Sequence, residues 1–279
     1  MDHYFVLGNP ISHSKSPLIH ARFAELSGQA LDYQAWLTPL DGFAATLAQL
    51  QAQGARGCNV TVPFKFEAFQ AAHTHSERAQ LAQAANTLVF DQGRLHADNT
   101  DGVGLVNDIQ NNAGVLLAGR DVLLIGAGGA AAGALAPLLA TRPRRLVLAN
   151  RTRAKADALA ASHRAHPWLQ QALQTSELLT QDLQGITGNF DVVINASASS
   201  LGGGAVPVAG SVLKPGALAY DMMYGPAAQG FMSWATENGA TARDGLGMLV
   251  EQAAEAFALW RGVYPASGQV LQEMRALLA

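Results

Sequence analysis

The sequence predicts an α/β protein whose second half is a doubly wound parallel sheet, and three observations carry that reading. Val122-Leu123-Leu124-Ile125 is a short, wholly apolar run, as a strand buried on both faces requires. It passes at once into Gly126-Ala127-Gly128-Gly129-Ala130 and an Ala-rich stretch, a tight turn entering a helix. Further short apolar runs at 146–149, 191–194 and 218–220 recur with helical segments between them, and that alternation winds a sheet in parallel.

The glycine turn has a chemical reading. Side chains are absent where a pyrophosphate must come close, and the free N–H groups and positive dipole end of the helix face its charge. Glycines at such a turn also serve positive φ alone, so the loop by itself specifies little. The next strand end is more telling. After 146–149 comes Asn150-Arg151-Thr152-Arg153-Ala154-Lys155, where a fold of Rossmann type that prefers NAD places an acid on the ribose 2′-hydroxyl. Arg151, Arg153 and Lys155 suit a 2′-phosphate instead, which predicts NADP; a solvated helix start is the plainer alternative.

Upstream, Tyr4-Phe-Val-Leu7 reads as a strand, and a loop dense in turn formers leads to Ser16-Pro17, with Ser16 at the cap of a helix running through Phe23 and Leu26 to Gly28. Three serines within residues 12–16 put hydroxyls at that helix start, a seat for a carboxylate or simple capping. Residues 31–36 read as a strand and 43–53 as a helix with Phe43, Leu47 and Leu50 on one face. In Gly57-Cys58-Asn59-Val60-Thr61-Val62-Pro63-Phe64-Lys65 a strand sets Asn59 and Thr61 on one face and Val60 and Val62 on the other, with Lys65 at its end between Phe64 and Phe66. Lys65 is solvated there or is a catalyst. Asn86-Thr87 precedes a strand at 88–90, and Asn99 and Thr100 read as caps of a connecting helix that runs to Ala113, a reading that accounts less well for Asp101. A carboxylate at Asp101 beside Lys65 would favour the protonated lysine, as a proton donor to an alkoxide needs.

Composition bounds the rest. With 279 residues, 49% hydrophobic and 14% charged, the chain is globular with material for about two domains. A net charge of −3 excludes a general nucleic-acid binder, and no apolar run reaches membrane-span length. A single Cys58 excludes an internal disulfide, and a start without a charged-then-apolar leader predicts a cytoplasmic protein. No metal site is expected: His73-Thr-His75 lacks the other ligands and reads as a surface loop. Pro137 should kink or end the helix after the glycine turn, and Gly202-Gly-Gly204 reads as a flexible loop near the cofactor.

Together, Gly8-Asn-Pro-Ile, Ser14-Lys-Ser16-Pro, Asn59-Val-Thr61-Val-Pro-Phe-Lys65, Asn86-Thr, Asn99-Thr-Asp101-Gly, Gly126-Ala-Gly-Gly and Asn150-Arg-Thr resemble the bacterial shikimate dehydrogenase family over nearly the whole chain. The resemblance implies a substrate domain at 1–102, an NADP domain at 103–243 and C-terminal helices at 244–279 that return to the first domain. It implies that Ser14 and Ser16 hold a substrate carboxylate, that Asn59, Thr61, Asn86, Gln252 and Tyr224 bind the rest of the substrate, and that Lys65 and Asp101 form a catalytic pair. On the cofactor side it implies Gly126, Ala127, Gly128, Gly129, Ala130, Asn150, Arg151, Thr152, Lys155, Met222, Gly245 and Met248, although Met248 also reads as core packing. Asp221 reads as a structural acid. Ala21, Gln83, Ala97, the run Asn195–Leu201 and Gln229-Gly230 depart from the family's pattern. The expected reaction is reversible reduction of 3-dehydroshikimate with NADPH in a cleft between two domains, by a monomer or homodimer with no partner but its small molecules.

Two other readings stand beside it. One is a quinate/shikimate dehydrogenase of relaxed specificity, a class that tends to accept NAD, against which Arg151 speaks. The other is a catalytically silent sensor of a shikimate-like ligand, against which the retained Lys65 and Asp101 speak.

Overall fold

The computed structural model describes residues 1–197 and 206–278, which form two compact units: Met1–Gly104 with Val250–Ala279, and Leu105–Leu249. The expected loop at Gly202–Gly204 and part of the departure at 195–201 lie outside the described residues.

In the first unit β1 (Asp2–Gly8), β2 (Leu31–Leu37), β3 (Gly57–Val60), β4 (Thr74–His75), β5 (Thr87–Asp91) and β6 (Arg94–Asp98) form one sheet in the order β2-β1-β3-β5-β6-β4. Both faces of β1 are covered, and the period of two sorts its side chains. Phe5 and Leu7 join a core with Leu47, Leu50, Val60 and Leu88, while Tyr4 and Val6 join another with Tyr33, Ile11 and Trp260. The helix at Phe43–Ala52 buries Phe43, Leu47 and Leu50 on one face, as its spacing requires. Strands β1, β2 and β3 run parallel, but β5 is antiparallel to β3 and β6 to β5. That reversal brings the start of β5 and the end of β6 to the same edge as the ends of β1 and β3.

Several local expectations shift. Lys15, not Ser16, is the cap of the helix Ser16–Ser27, and the Ser14 hydroxyl accepts the Ser16 N–H at 3.3 Å. Strand β3 ends at Val60, so Val62 does not share its buried face and is 63% exposed. Lys65 begins a helix, Lys65–Ala71, with Phe64 fully buried before it and Phe66 mostly exposed. His73 precedes, and His75 ends, a short strand rather than lying in a loop: the His73 ring accepts the Leu95 N–H at 3.0 Å and the His75 ring bonds the Phe69 carbonyl at 2.7 Å. Gln83, where the family pattern has glycine, ends the helix Glu77–Ala82 at φ 51°, the left-handed conformation that explains the glycine.

In the second unit β7 (Asp121–Ile125), β8 (Arg145–Asn150), β9 (Glu177–Asp182), β10 (Phe190–Asn195), β11 (Leu213–Asp221) and β12 (Thr241–Arg243) run parallel in the order β12-β11-β10-β7-β8-β9. The chain reverses its direction of winding between β7 and β10, and ligands of such sheets sit at the carboxyl ends of the strands beside that point. The helix Gly129–Ala140 continues past Pro137 to Ala140, so the proline does not end it. The connecting segment is α-helical only over Asp101–Asn107 and π-helical over Asp108–Asn112.

At the π-helical segment the fully buried Asp108 carboxylate receives a fork from Arg243, at 2.8 and 2.5 Å, and the Tyr220 hydroxyl at 2.8 Å. Gly247 closes over it: a Cβ there would lie 1.9 Å from Asp108 Oδ1. Among the described residues no helix is long and apolar enough to cross a membrane, and no group of three His, Cys, Asp or Glu is placed to hold a metal.

Candidate active site

The shared edge of the first sheet carries a continuous polar cluster. Register sets it up: Asn59 lies opposite Thr87, and Thr87 opposite Asp98, so the ends of β3, β5 and β6 present their polar residues side by side. Asn86 is the centre. Its side-chain amide donates to Asp101 Oδ1 and Thr100 Oγ1, each at 2.9 Å, and lies 3.2 Å from Gln252 Oε1, while its own Oδ1 accepts the Thr100 N–H at 2.9 Å. Asp101 Oδ2 then accepts the Lys65 ammonium at 2.5 Å. The lysine side chain is 31% exposed and the aspartate 15%, so the charged pair has one face open to a ligand.

On the other side, Asn59 donates to Thr87 Oγ1 at 3.0 Å and accepts the buried Tyr33 hydroxyl at 2.8 Å. Burial pushes the Tyr33 phenol well above the usual range. Thr61 donates its N–H to Leu7 O at 2.9 Å, and its methyl group packs so close to Gly8 that a Cβ there would stand 2.6 Å from it. This ties the chain after β3 to the loop after β1 that bears Ser14. Asn59, Asn86, Lys65, Asp101 and Gln252 are thus joined by hydrogen bonds, whereas Ser14 and Ser16 stand at the helix start and Tyr224 belongs to the second unit. Tyr33 and Thr87 were missed by sequence reasoning. Thr87 follows Asn86 in a quoted motif, whereas Tyr33 carries no local signal, since only sheet pairing brings it to Asn59.

His20 lies behind this cluster, fully buried and stacked on Tyr33 with ring centroids 4.1 Å apart. Neither ring nitrogen has a well-formed hydrogen bond, although the Asn59 side chain is close enough to oppose the shift slightly. Burial drives its pKa down to about 3. An unfolded imidazole takes up a proton near 6.5, so the stability this neutral ring contributes is complete above that pH and is lost as pH falls toward 3. The slope is about 1.4 kcal/mol per pH unit. His20→Phe keeps the stack and removes the proton site, so urea midpoints at pH 7 and pH 5 are expected to differ less in the variant than in the parent. Equal differences would assign the acid sensitivity to other groups.

In the second unit the ends of β7, β8, β10 and β11 enclose a cavity of about 440 Å³, lined by Gly126, Ala127, Gly128, Gly129, Ala130, Asn150, Arg151, Thr152, Lys155, Ala196, Ser197, Met222 and Met223. Gly126 has φ 110° and faces the Ala196 carbonyl, where a Cβ would approach within 3.0 Å. Gly128 and Gly129 differ: a Cβ on either would meet only open space. The fold therefore does not need those glycines for packing, and a ligand's close approach is what they permit. The helix starting at Gly129 has no side-chain cap, which leaves its first N–H groups directed at the cavity mouth.

Among the described residues Arg151 and Lys155 line the cavity without an ion pair, whereas Arg153 is turned along its helix to Asp157 at 3.6 Å. The basic trio expected from sequence is a pair. Ten of the twelve expected cofactor residues line the cavity; Gly245 and Met248 do not. Gly245 packs against the backbone carbonyl of Met222, 2.3 Å from where its Cβ would be, and Met248 is buried. Asp221 accepts from Asn195 at 3.1 Å and from the Met223 N–H at 2.8 Å, which orders two walls of the cavity. Ala196, Ser197 and Met223 follow from the strand-end rule rather than from any motif.

An uncapped helix start, open glycines and two cations in the cavity wall fit a dinucleotide with an additional phosphate. The first unit offers hydroxyls and amides around a lysine–aspartate pair.

Three family models match the chain in succession: the shikimate dehydrogenase substrate binding domain over residues 6–88, shikimate / quinate 5-dehydrogenase over 109–202, and the shikimate 5'-dehydrogenase C-terminal domain over 245–275. A curated protein named shikimate dehydrogenase (NADP(+)) from an Acidovorax species is 67% identical over 278 residues, spanning 100% of this chain and 97% of that protein. Among solved structures, an Ael1 enzyme from Pseudomonas putida is 47% identical with a TM-score of 0.89, and 98% of each chain is covered. The shikimate 5-dehydrogenase of Thermus thermophilus in complex with NADP(H) and shikimate is 30% identical, with a TM-score of 0.84 and 100% of both chains covered.

Proposed function

The chain belongs to the shikimate dehydrogenase family, and on that premise we propose that it reduces 3-dehydroshikimate reversibly to shikimate with NADPH, a step of aromatic amino acid biosynthesis in the cytoplasm. The observation that carries the reading is the Lys65–Asp101 pair held by Asn86 beside Gln252. NADPH, when bound, supplies the hydride that reduces the ketone.

The chain's residues do the remaining work. Lys65 gives its proton to the oxygen that becomes the hydroxyl, and Asp101 holds the ammonium aimed. Asn86 orients the Asp101 carboxylate from the side away from the lysine. Asn59, Thr61 and Gln252 bind ring hydroxyls, and Ser14 and Ser16 take the substrate carboxylate at the helix start. The Gly128–Gly129 turn receives the pyrophosphate on bare N–H groups, and Arg151 with Lys155 holds the 2′-phosphate. Met222 and Tyr224, which follow β11, serve the nicotinamide and substrate ends, and Gly245 and Met248 support that wall. One copy of the chain contains every residue this requires, so a monomer or a homodimer suffices.

The test is formation of NADPH absorbance when the purified protein meets shikimate and NADP, with quinate and NAD in parallel wells. Signal with shikimate and NADP well above the other wells is expected, and silence with shikimate would refute the assignment. Arg151→Ala is expected to raise the KM for NADP by about tenfold or more, from loss of a charge-assisted contact of roughly 1.5–3 kcal/mol, and to leave the KM for NAD nearly unchanged. Equal losses with both cofactors would show that Arg151 does not read the 2′-phosphate.

A further inference from the structure

Arg78 stands on the short helix Glu77–Ala82, outside every motif that points to the site. Its side chain is only 16% exposed and is engaged on two sides. Nε donates to Asp98 Oδ1 at 2.6 Å and Nη2 to Asp98 Oδ2 at 2.7 Å, a two-point fork, while Nη2 also reaches Glu255 Oε1 at 3.0 Å. Asp98 is itself a buried hub, whose Oδ1 also accepts the Ser76 hydroxyl at 2.5 Å and the Asn99 N–H at 2.6 Å.

The two carboxylates that Arg78 joins lie on the two backbones that carry the reacting cluster. Asp98 ends β6 three residues before Asp101, and its carbonyl accepts the Asn86 N–H at 3.1 Å. Glu255 lies three residues beyond Gln252 on the helix Leu246–Arg261, on the same side of it. Asn86 donates to Asp101 and faces Gln252. The spacing between the Asp101 carboxylate and the Gln252 amide therefore depends on two segments far apart in sequence, and one guanidinium bonds both.

We propose that Arg78 is a positioning residue for catalysis, whose fork sets the distance between the Lys65–Asp101 pair and Gln252. The inference rests on the roles proposed above for those three residues. Planarity is what the position uses: a lysine supplies a point charge that can neutralise Asp98 but cannot bond both Asp98 oxygens and Glu255 in one plane. If Arg78 served only to neutralise a buried carboxylate, its loss would lower stability and leave the kinetics of the folded enzyme alone.

Arg78→Lys in the full-length protein, assayed with shikimate and NADP below its unfolding transition, separates the two. The expected result is a kcat lower by about 10²-fold, as a misplacement near 1 Å produces, with a higher KM for shikimate. The KM for NADP stays within about twofold, since the cofactor residues are not attached to this fork, and the pH profile of kcat is displaced from the parent's. Glu255→Ala releases only the helix arm and is expected to raise the KM for shikimate with the pH profile kept. Should Arg78→Lys fail to fold, Arg78→Gln with Asp98→Asn keeps a neutral hydrogen-bonded pair and is expected to show the same kinetic losses. Parent-like kcat, KM and pH profile in a folded variant, with only a lower unfolding midpoint, would overturn the inference. A parent inert toward shikimate would refute the proposed function, and this inference with it; an active parent with a kinetically silent variant would refute the inference alone.

Discussion

Lys65→Ala is expected to lower kcat for shikimate oxidation by about 10²–10⁴-fold, the usual share of a positioned acid–base group. The ammonium lies 2.5 Å from Asp101, partly exposed, with its carboxylate partner fixed by Asn86. An effect confined to the reacting proton lowers kcat and kcat/KM together. In the oxidation direction Lys65 takes the proton that the hydroxyl gives up, so the variant is expected to fall below the parent in both directions. Asp101→Asn is expected to fall between the two, because the amide keeps the shape but no longer carries the charge that holds the lysine. Intact turnover in Lys65→Ala with only a raised KM would make Lys65 a binding residue and place proton transfer elsewhere.

Asp108→Ala is expected to destabilise the second unit by about 3–5 kcal/mol, the cost of breaking a buried ion pair from one side. The carboxylate is fully buried and serves the Arg243 fork and the Tyr220 hydroxyl together. Its removal leaves a largely buried guanidinium and a buried phenol without their acceptor, and opens space under Gly247. Hydrogen exchange resolved by segment checks this. Peptides from the second unit should lose protection, while those from β1–β6 keep theirs. A loss below about 1 kcal/mol would mean that desolvation already cancels the attraction of this pair.

These expectations differ in how far the sequence announces them. The glycines at 126–129 are legible because backbone chemistry leaves no other residue type for the job, and the strands around them because burial on both faces permits only apolar runs. Arg151 is legible because the fold reserves a strand end for that choice, yet Arg153 misled, since its neighbour four residues on, Asp157, decides where it turns. Asn59 and Asn86 looked like ordinary strand and strand-edge residues until the family resemblance grouped them, whereas Asp101 stands out from the sequence as a carboxylate partner for Lys65. Their physical connection depends on the antiparallel turn of β5 and β6, which no local pattern encodes. Arg78, Asp98, Asp108 and Arg243 were silent for the same reason: each draws its meaning from a partner tens to more than a hundred residues away.

The first unit is built from both ends of the chain. Residues 250–279 complete it, and Trp260 shows how deeply: it stacks on Tyr4 at 4.6 Å, donates to the Leu88 carbonyl at 3.1 Å, and a Cβ on Gly57 would lie 2.4 Å from its indole nitrogen. During synthesis the second unit emerges whole, whereas β1–β6 emerge early and wait for their last helix. At ribosomal speeds that wait lasts roughly ten to thirty seconds. A nascent chain therefore carries an ordered second unit ahead of a finished first unit, with the apolar faces of Tyr4 and Tyr33 exposed in the interval. The order of assembly in the cell runs opposite to the order of the residues.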